Sequence, residues 1–247
     1  MNPLGINLWN WCAGLSEECL GLPEKVARMG FTAVELPMTQ PQVPSALADE
    51  IRNTGLAVSL CAALGPGRDL SSFDSAVRAS TMDYLTTCLE TAGQLGAGIL
   101  AGPLYTGGGK RHWLSPDEKK REWMLAVDGL RELARRAEHY GVVLSVEPLN
   151  RYRTSVANTA GQVLQAGKVN HFHACANNRG APGQGVIPWE DLLGLLVRYG
   201  YGGHITMETF ALGGLDSSWV QVHSEPDELA REGLFYLQAF FKTKAGL

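Results

Sequence analysis

Short apolar segments alternate with longer segments of helical spacing along most of the chain. The apolar segments predict strands near residues 5–11, 31–37, 56–61, 97–103, 141–147, 169–175 and 204–210. Helices are predicted near residues 16–29, 45–53, 75–95, 115–140, 158–166, 188–199 and 226–242. Repeated βα units form a parallel sheet with helices outside it. With 247 residues and 45% hydrophobic content, the sequence predicts a single TIM-type (β/α) barrel domain over residues 1–247, with seven recognisable strands.

The composition limits the partners and the compartment. A net charge of −4 gives no basic surface for nucleic acid. No segment approaches the roughly 20 apolar residues of a membrane span, and residues 1–5 lack the pattern of a secretion signal. Five cysteines without a CxxC pair indicate reduced thiols. We therefore expect a cytoplasmic protein with a small-molecule partner and with no nucleic-acid or membrane partner.

Two glutamates stand where strand-like segments end. Glu147 and Glu208 each follow a short β-prone run. A third strand-like segment lies between them, and its alternation places His171, His173 and Cys175 on one face. The carboxyl ends of the strands carry the active site in a TIM barrel, and a carboxylate ending a buried strand needs a partner or a metal. Glu147, His173 and Glu208 are therefore candidate ligands of a divalent metal.

Other polar and aromatic side chains are predicted near these strand ends. Arg179 lies in the loop after the His173 strand and is a candidate substrate contact. His171 is expected to be a structural polar residue deeper in the barrel, with an approach to the metal as the alternative. Four aromatic residues near strand ends fit either the core or an apolar lid over the site, and they are Trp9, Trp11, Trp113 and Phe210.

Taken together, these motifs resemble the ketose 3-epimerase family, the D-tagatose and D-psicose 3-epimerases of the xylose-isomerase-like TIM-barrel superfamily. The resemblance rests on Val146-Glu147-Pro148-Leu149-Asn150-Arg151, on His171-Phe172-His173 through Asn178-Arg179-Gly180, and on Met207-Glu208-Thr209-Phe210. It covers nearly the whole chain, including residues 65–67 and the loop from Gly102. As a set the motifs are specific for the family, but not for one sugar.

The resemblance implies a reaction and assigns roles by position. It implies metal-assisted C3 epimerisation of a ketose through a cis-enediolate, with manganese, magnesium or cobalt as the cation. Glu147, His173 and Glu208 are the implied metal ligands, and the two glutamates are also the implied acid/base pair. The predicted substrate contacts are Arg179, Phe210, Trp113 and Asn7. Because family members are often dimers or tetramers, a homo-oligomer is expected.

The sequence also departs from the family pattern. The family has a further strand between the Glu147 and His173 strands, which ends in an aspartate ligand and is followed closely by a substrate-binding histidine. Here residues 165–167 run directly into 168–170, so about thirty residues, or one βα unit, are absent. Arg153 stands where a substrate-binding glutamate is usual, and Ala176 replaces a glutamate near the metal histidine. Fewer carboxylates predict weaker metal binding.

Two other hypotheses are compatible with the sequence. The first is a catalytically impaired barrel that binds a sugar or a partner subunit, which the absent βα unit suggests. The second is another chemistry of the superfamily, such as hydroxypyruvate isomerisation or abasic-site endonuclease activity. An endonuclease would require more histidine ligands and a basic surface for nucleic acid, whereas this chain has six histidines and a net charge of −4.

Overall fold

The computed structural model describes residues 2–110, 113–164, 169–211 and 225–245. In these residues the strands are β1 Leu4–Asn7, β2 Ala33–Met38, β3 Ala57–Ala62, β4 Ile99–Gly102, β5 Val143–Val146, β6 His171–Ala174 and β7 His204–Met207. The helices are α1 Leu22–Met29, α2 Ser45–Thr54, α3 Ser75–Leu95, α4 Pro116–Tyr140, α5 Ala160–Leu164, α6 Trp189–Arg198 and α7 Pro226–Ala245. The prediction of seven parallel strands, each followed by a helical segment, is confirmed within this described part of the chain.

The two longest helices begin and end where the sequence predicts. Ser115 accepts from the backbone N–H of Glu118, and the Glu118 carboxylate accepts from the backbone N–H of Ser115, which is a capping box. Pro116 occupies the first helical position of α4, where its missing N–H costs nothing. Gly96 ends α3 and Gly141 ends α4, each in the left-handed conformation with φ +66°.

One predicted helix is wrong in its extent. The sequence predicts a continuous helix over residues 16–29, but the structure has a 3₁₀ turn at Glu17–Cys19 and then α1 from Leu22. Gly21 separates the two because its φ of +81° is left-handed and interrupts the helix. The predicted helix near residues 158–166 is described as α5, and its last two predicted residues lie outside the described part of the chain.

Contacts divide the chain into two compact units. The first unit comprises Met1–Pro37, Pro44–Val58 and Val169–Leu247, and the second comprises Met38–Val43 and Ser59–Lys168. The single-domain prediction for residues 1–247 stays a prediction. Each of the described helices is either too short or too polar to pass through a bilayer.

The sheet of the first unit has the strand order β2-β1-β7-β6, and all its pairs are parallel. Its strands are deeply placed, and every residue of β1 and β2 is buried. Large apolar side chains with no exposed surface form the core of this unit, and they include Ile6, Leu8, Val34, Leu36, Ile205 and Met207. Continuous burial of this kind is typical of a parallel sheet covered on both faces.

In the second unit, the strand order is β3-β4-β5, again parallel. Gly102 ends β4 with φ +115°, and a methyl group at this position would lie 2.6 Å from the carbonyl oxygen of Ala62. The same residue accepts the backbone N–H of Glu147 at 3.0 Å, just beyond β5. The close approach of strands β3 and β4 therefore requires glycine at position 102.

A buried ion-pair cluster joins two loops of the second unit to helix α4. Lys110 Nζ lies 2.7 Å from Asp69 Oδ2 and 2.7 Å from Glu122 Oε1. The Lys110 side chain is 13% exposed and that of Glu122 only 2%. Lys110 Nζ also donates to the hydroxyl of Ser71 at 2.8 Å. One ammonium group thus neutralises two carboxylates that are largely removed from water.

Candidate functional site

Polar side chains gather on one face of the first unit's sheet, near the carboxyl ends of its strands. In the strand register, Asn7 lies opposite Glu35, and His173 lies opposite Thr206. Side chains two residues apart on a strand share a face, so Glu208 continues the line of Thr206 beyond β7. A hydrogen bond of 3.2 Å from the Glu208 N–H to the carbonyl of Ala174 carries the β6–β7 pairing to this point.

The centre of this face is the carboxylate of Glu35, which has no exposed surface. Its Oε1 accepts from Asn7 Nδ2 at 2.8 Å and lies 2.9 Å from His173 Nε2. Its Oε2 lies 2.7 Å from His171 Nε2. Burial alone raises the pKa of Glu35, but the facing imidazoles of His173 and His171 outweigh burial and hold the pKa well below its ordinary value. Glu35 is therefore a buried anion surrounded by donors.

His173 connects this anion to the second glutamate of the unit. While His173 Nε2 faces Glu35, its Nδ1 lies 3.7 Å from Oε1 of Glu208. Glu208 is buried, with 5% of its surface exposed. The first unit thus brings together two of the three predicted metal ligands, His173 and Glu208.

The separation of these two atoms fits a shared divalent cation. Protein oxygen and nitrogen ligands bind such ions at about 2.1 Å, so two of them lie no more than about 4.2 Å apart. The 3.7 Å between His173 Nδ1 and Glu208 Oε1 falls within that limit. A carboxylate oxygen with an imidazole nitrogen suits manganese, magnesium or cobalt rather than a thiolate-selected metal. The donor set therefore fits the predicted class of cation.

A second group of side chains that could hold a metal ion lies deeper in the first unit. One ligand atom from each of Glu35, His171 and His173 lies within 4.8 Å of the others. Here each imidazole nitrogen is already at hydrogen-bonding distance from a carboxylate oxygen, at 2.7 and 2.9 Å. We interpret this group as a support for His173, in which the Glu35 carboxylate faces both imidazoles.

Arg179 covers the outer side of Glu208. Its Nη1 donates to Glu208 Oε2 at 2.5 Å and lies 3.5 Å from Cys175 Sγ. Among the described non-glycine residues it is the one with a left-handed backbone, at φ +66°. Such a conformation is costly for an arginine and persists where surrounding contacts enforce it.

Aromatic rings line the same end of the first unit. Trp9 stacks on Phe210 with ring centroids 5.6 Å apart and planes inclined by 26°. The guanidinium of Arg179 lies 5.5 Å from the centre of the Phe210 ring. Phe210 is buried, with 6% exposed surface. An apolar wall thus stands beside the Glu208 carboxylate.

The remaining predicted site residues have different surroundings. Asn7 is buried and uses both polar groups within the protein, donating to Glu35 and accepting from the backbone N–H of Trp9 at 2.9 Å. Trp113 belongs to the second unit and is 84% exposed. Glu147 also belongs to the second unit, where it lies just beyond β5 and is half-buried. Burial raises the pKa of the Tyr105 hydroxyl in that unit, and the Glu147 carboxylate adds to the increase. The roles predicted for Asn7, Trp113 and Glu147 stay predictions.

Glu35 is the residue that sequence reasoning missed. The sequence places it in a strand and predicts no role for it, yet it contacts both histidines of β6. A signal is present in the sequence, because Glu35 stands between Val34 and Leu36 inside an apolar run. A charge in the middle of a buried strand requires buried partners. The structure places His171 Nε2 2.7 Å from Glu35 Oε2, and the structural role predicted for His171 stays a prediction.

Comparison with known proteins shows the family. The family model described as "Xylose isomerase-like TIM barrel" matches residues 23–166, which is more than half of the chain. The chain therefore belongs to the xylose isomerase-like TIM barrel family, and the predicted fold class is confirmed. A solved structure of L-ribulose 3-epimerase has a TM-score of 0.87, with 23% identity, over 98% of this chain and 95% of that one.

Two sequence relatives extend this result. The D-psicose 3-epimerase of Ruminiclostridium cellulolyticum is 28% identical over 242 aligned positions, covering 81% of each chain. A Streptomyces coelicolor protein provisionally named hydroxypyruvate isomerase is 30% identical over 238 positions, covering 75% of this chain and 83% of that protein. The predicted resemblance to ketose 3-epimerases is confirmed by these comparisons.

Proposed function

We propose that this protein is a sugar isomerase/epimerase that inverts C3 of a ketose through a cis-enediolate with the help of a divalent cation. The observation that carries the proposal is the 3.7 Å separation of His173 Nδ1 and Glu208 Oε1 beneath a guanidinium and an aromatic wall. Family membership and epimerase relatives support the same reaction class. The proposed partner is a small sugar.

Epimerisation at C3 needs one group to remove a proton and another to return a proton to the opposite face. We assign these roles to the carboxylates of Glu208 and Glu147, each of which lies just beyond a parallel strand of its own unit. Which glutamate removes the proton depends on which C3 epimer is bound. A divalent cation, when bound, would supply stabilisation of the negative charge that develops on the enediolate oxygens. His173 and Glu208 are the proposed ligands in the first unit, with Glu147 as the third.

The neighbours of Glu208 would set its reactivity. Arg179 holds Oε2, which fixes the plane of the carboxylate and leaves Oε1 directed toward His173. The remaining guanidinium N–H groups can donate to substrate hydroxyls. Trp9 and Phe210 offer flat apolar surfaces to sugar C–H groups and exclude water from that side.

The oligomeric state and the cellular location also belong to the proposal. Assembly into a dimer or tetramer and a cytoplasmic location are expectations from the sequence and its resemblance. Absence of the aspartate ligand predicts a cation site weaker than that of a four-ligand relative.

The test combines metal binding with turnover. Protein stripped with a chelator is titrated with manganese by calorimetry, beside His173→Ala, and assayed on a panel of ketoses in deuterated water. We expect binding that is lost in His173→Ala, and deuterium incorporation at C3 that Glu147→Gln and Glu208→Gln each reduce by about 100-fold or more. An exposed glutamate, Glu190, provides the control Glu190→Gln.

Each alternative has its own outcome. Full activity in both glutamate variants would refute the assigned acid/base pair. A folded protein that turns over no ketose with any divalent metal, yet binds a sugar, would favour the impaired-barrel hypothesis. Hydroxypyruvate is included in the panel because one relative carries the name of a hydroxypyruvate isomerase.

A further inference from the structure

Glu35 lies at a position where a charge has no water to solvate it. All six residues of β2 are buried, and the Glu35 side chain has 0% exposure. Burying an ionised carboxylate is costly unless hydrogen bonds and charges compensate it. The proposed reaction assigns Glu35 no part, so its cost requires another explanation.

Three donors from two other strands of the unit converge on this carboxylate. Asn7 of β1 approaches Oε1 at 2.8 Å, and His173 of β6 approaches the same oxygen at 2.9 Å. His171, also of β6, approaches Oε2 at 2.7 Å. The two imidazole rings stand nearly perpendicular to each other, with an interplanar angle of 83°. A single carboxylate thus fixes both rings of β6.

This contact decides which nitrogen of His173 carries the proton. An ionised carboxylate only accepts hydrogen bonds, so the imidazole nitrogen that faces it must carry a hydrogen. In a neutral imidazole the other nitrogen then holds a lone pair. For His173 the nitrogen with the lone pair is Nδ1, which is the atom 3.7 Å from Glu208 Oε1.

We infer that Glu35 is a positioning residue: it holds His173 in the Nε2–H form and directs the Nδ1 lone pair toward the space shared with Glu208. The inference rests on the proposed function in one respect, because that space would hold the divalent cation. Metal-ligating histidines commonly donate their second N–H to a carboxylate, which fixes the tautomer and ring orientation. Asn7 supports the arrangement by holding Oε1 from the side of β1.

The direct test is the protonation pattern of His173 in metal-free protein. Nitrogen-15 NMR of histidine-labelled protein distinguishes the Nε2–H form from the Nδ1–H form, and a His173→Gln variant assigns the signal. We expect Nε2–H in the unsubstituted protein. In Glu35→Gln, the amide can present its NH₂ group to His173 Nε2, so we expect a gain of the Nδ1–H form. This readout needs neither metal nor activity.

Manganese affinity is measured on the same variants by calorimetry. Loss of a carboxylate that supports a metal-binding histidine weakens binding by about 10-fold to 100-fold, and we expect that loss in Glu35→Gln. The matched control is Glu122→Gln, which removes another buried carboxylate, 2% exposed, in the second unit. It should leave both the His173 tautomer and the manganese affinity unchanged. Thermal unfolding of each variant checks that it is folded.

The outcomes separate this inference from the proposed function. An Nδ1–H form of His173 in the unsubstituted protein would overturn the role of Glu35, whether or not Glu35→Gln folds. An unchanged tautomer in folded Glu35→Gln would overturn it equally. If the unsubstituted protein binds no manganese while His173 is in the Nε2–H form, the tautomer role stands and the proposed metal site fails.

Discussion

Arg179 and Glu208 are joined both through their side chains and through the backbone beside them. The guanidinium Nη1 lies 2.5 Å from Glu208 Oε2, and the Arg179 carbonyl accepts the N–H of Phe210 at 3.2 Å. The Arg179 N–H in turn donates to the carbonyl of Ala176 at 2.9 Å. These contacts enforce the left-handed backbone of Arg179, whose φ is +66°. The loop after β6 is thereby fixed to the end of β7.

Replacing Arg179 by alanine should lower kcat/KM by roughly 10-fold to 100-fold for whichever ketose of the panel the protein epimerises. A hydrogen bond to a charged group contributes about 1.5–3 kcal/mol. Its removal leaves the buried carboxylate of Glu208 without its guanidinium partner. Steady-state kinetics of Arg179→Ala measure the effect. Arg231→Ala is the control, since Arg231 is 62% exposed in α7 of the same unit. Unchanged kinetics in Arg179→Ala would contradict a role for the guanidinium.

Removing the ammonium of Lys110 should destabilise the second unit. Lys110→Met leaves Asp69 and the buried Glu122 without their common cation, and breaking a buried ion pair costs about 3–5 kcal/mol. Urea unfolding followed by circular dichroism measures the loss. Lys119→Met, at an exposed position in α4, should change stability by less than about 0.5 kcal/mol. Equal stability of the two variants would show that the cluster contributes nothing.

His204 should make the protein less stable as the pH falls. Burial lowers the pKa of His204 from its ordinary value of 6.5, His171 lowers it further, and Glu35 opposes the change. Its Nδ1 is buried and has no hydrogen-bond partner among the described residues. Between 6.5 and the lower folded pKa, the unfolded chain binds a proton that the folded chain does not. The contribution of neutral His204 to the free energy of unfolding is therefore complete above this pH interval, and it is lost as the pH decreases through the interval.

Unfolding at about pH 7.5 and about pH 5.5 measures this dependence. In His204→Asn the difference in unfolding free energy between the two conditions should be smaller than in the unsubstituted protein. His139, exposed in α4, gives the matched variant His139→Asn, which should keep the original difference. A His204→Asn variant with the original pH dependence would assign the effect to other groups.

Ser115→Ala should reduce stability through helix α4. The change removes the side-chain acceptor of the capping box, and loss of such a cap costs about 1 kcal/mol. Differential scanning calorimetry should show a lower Tm. Ser80→Ala is the comparison, because Ser80 is exposed inside α3, where alanine is the better helix former. A Tm for Ser115→Ala equal to that of the unsubstituted protein would mean that the cap is replaced by water.

The helix ends could be predicted because their signals are local. Ser115, Pro116 and Glu118 define the start of α4 within four residues, and Gly141 defines its end. The interruption at Gly21 could not be predicted in the same way, since glycine at Gly96 ends a helix whereas here it precedes one. Local patterns indicate that a glycine takes a left-handed conformation, but they do not determine which element comes after it.

The site was only partly predictable for a different reason. His173 and Glu208 lie in or just beyond strand-like runs, and the pattern of burial identifies them. The contact between Glu35 and His173 joins β2 and β6, two strands that are distant in the chain. The alignment of these strands depends on the pairing of β1 with both β2 and β7. An alternating or apolar pattern predicts which residues are buried, not which buried polar groups meet.

Gly102 limits how this protein can change over time. Its carbonyl holds the N–H of Glu147, while the space a methyl group would need is filled by the main chain of Ala62. Main-chain atoms cannot be exchanged for smaller ones by mutation, so no compensating substitution in β3 makes room. Position 102 is therefore restricted to glycine during evolution by the neighbouring backbone. The end of β5, which carries Glu147, is held in place by a residue without a side chain.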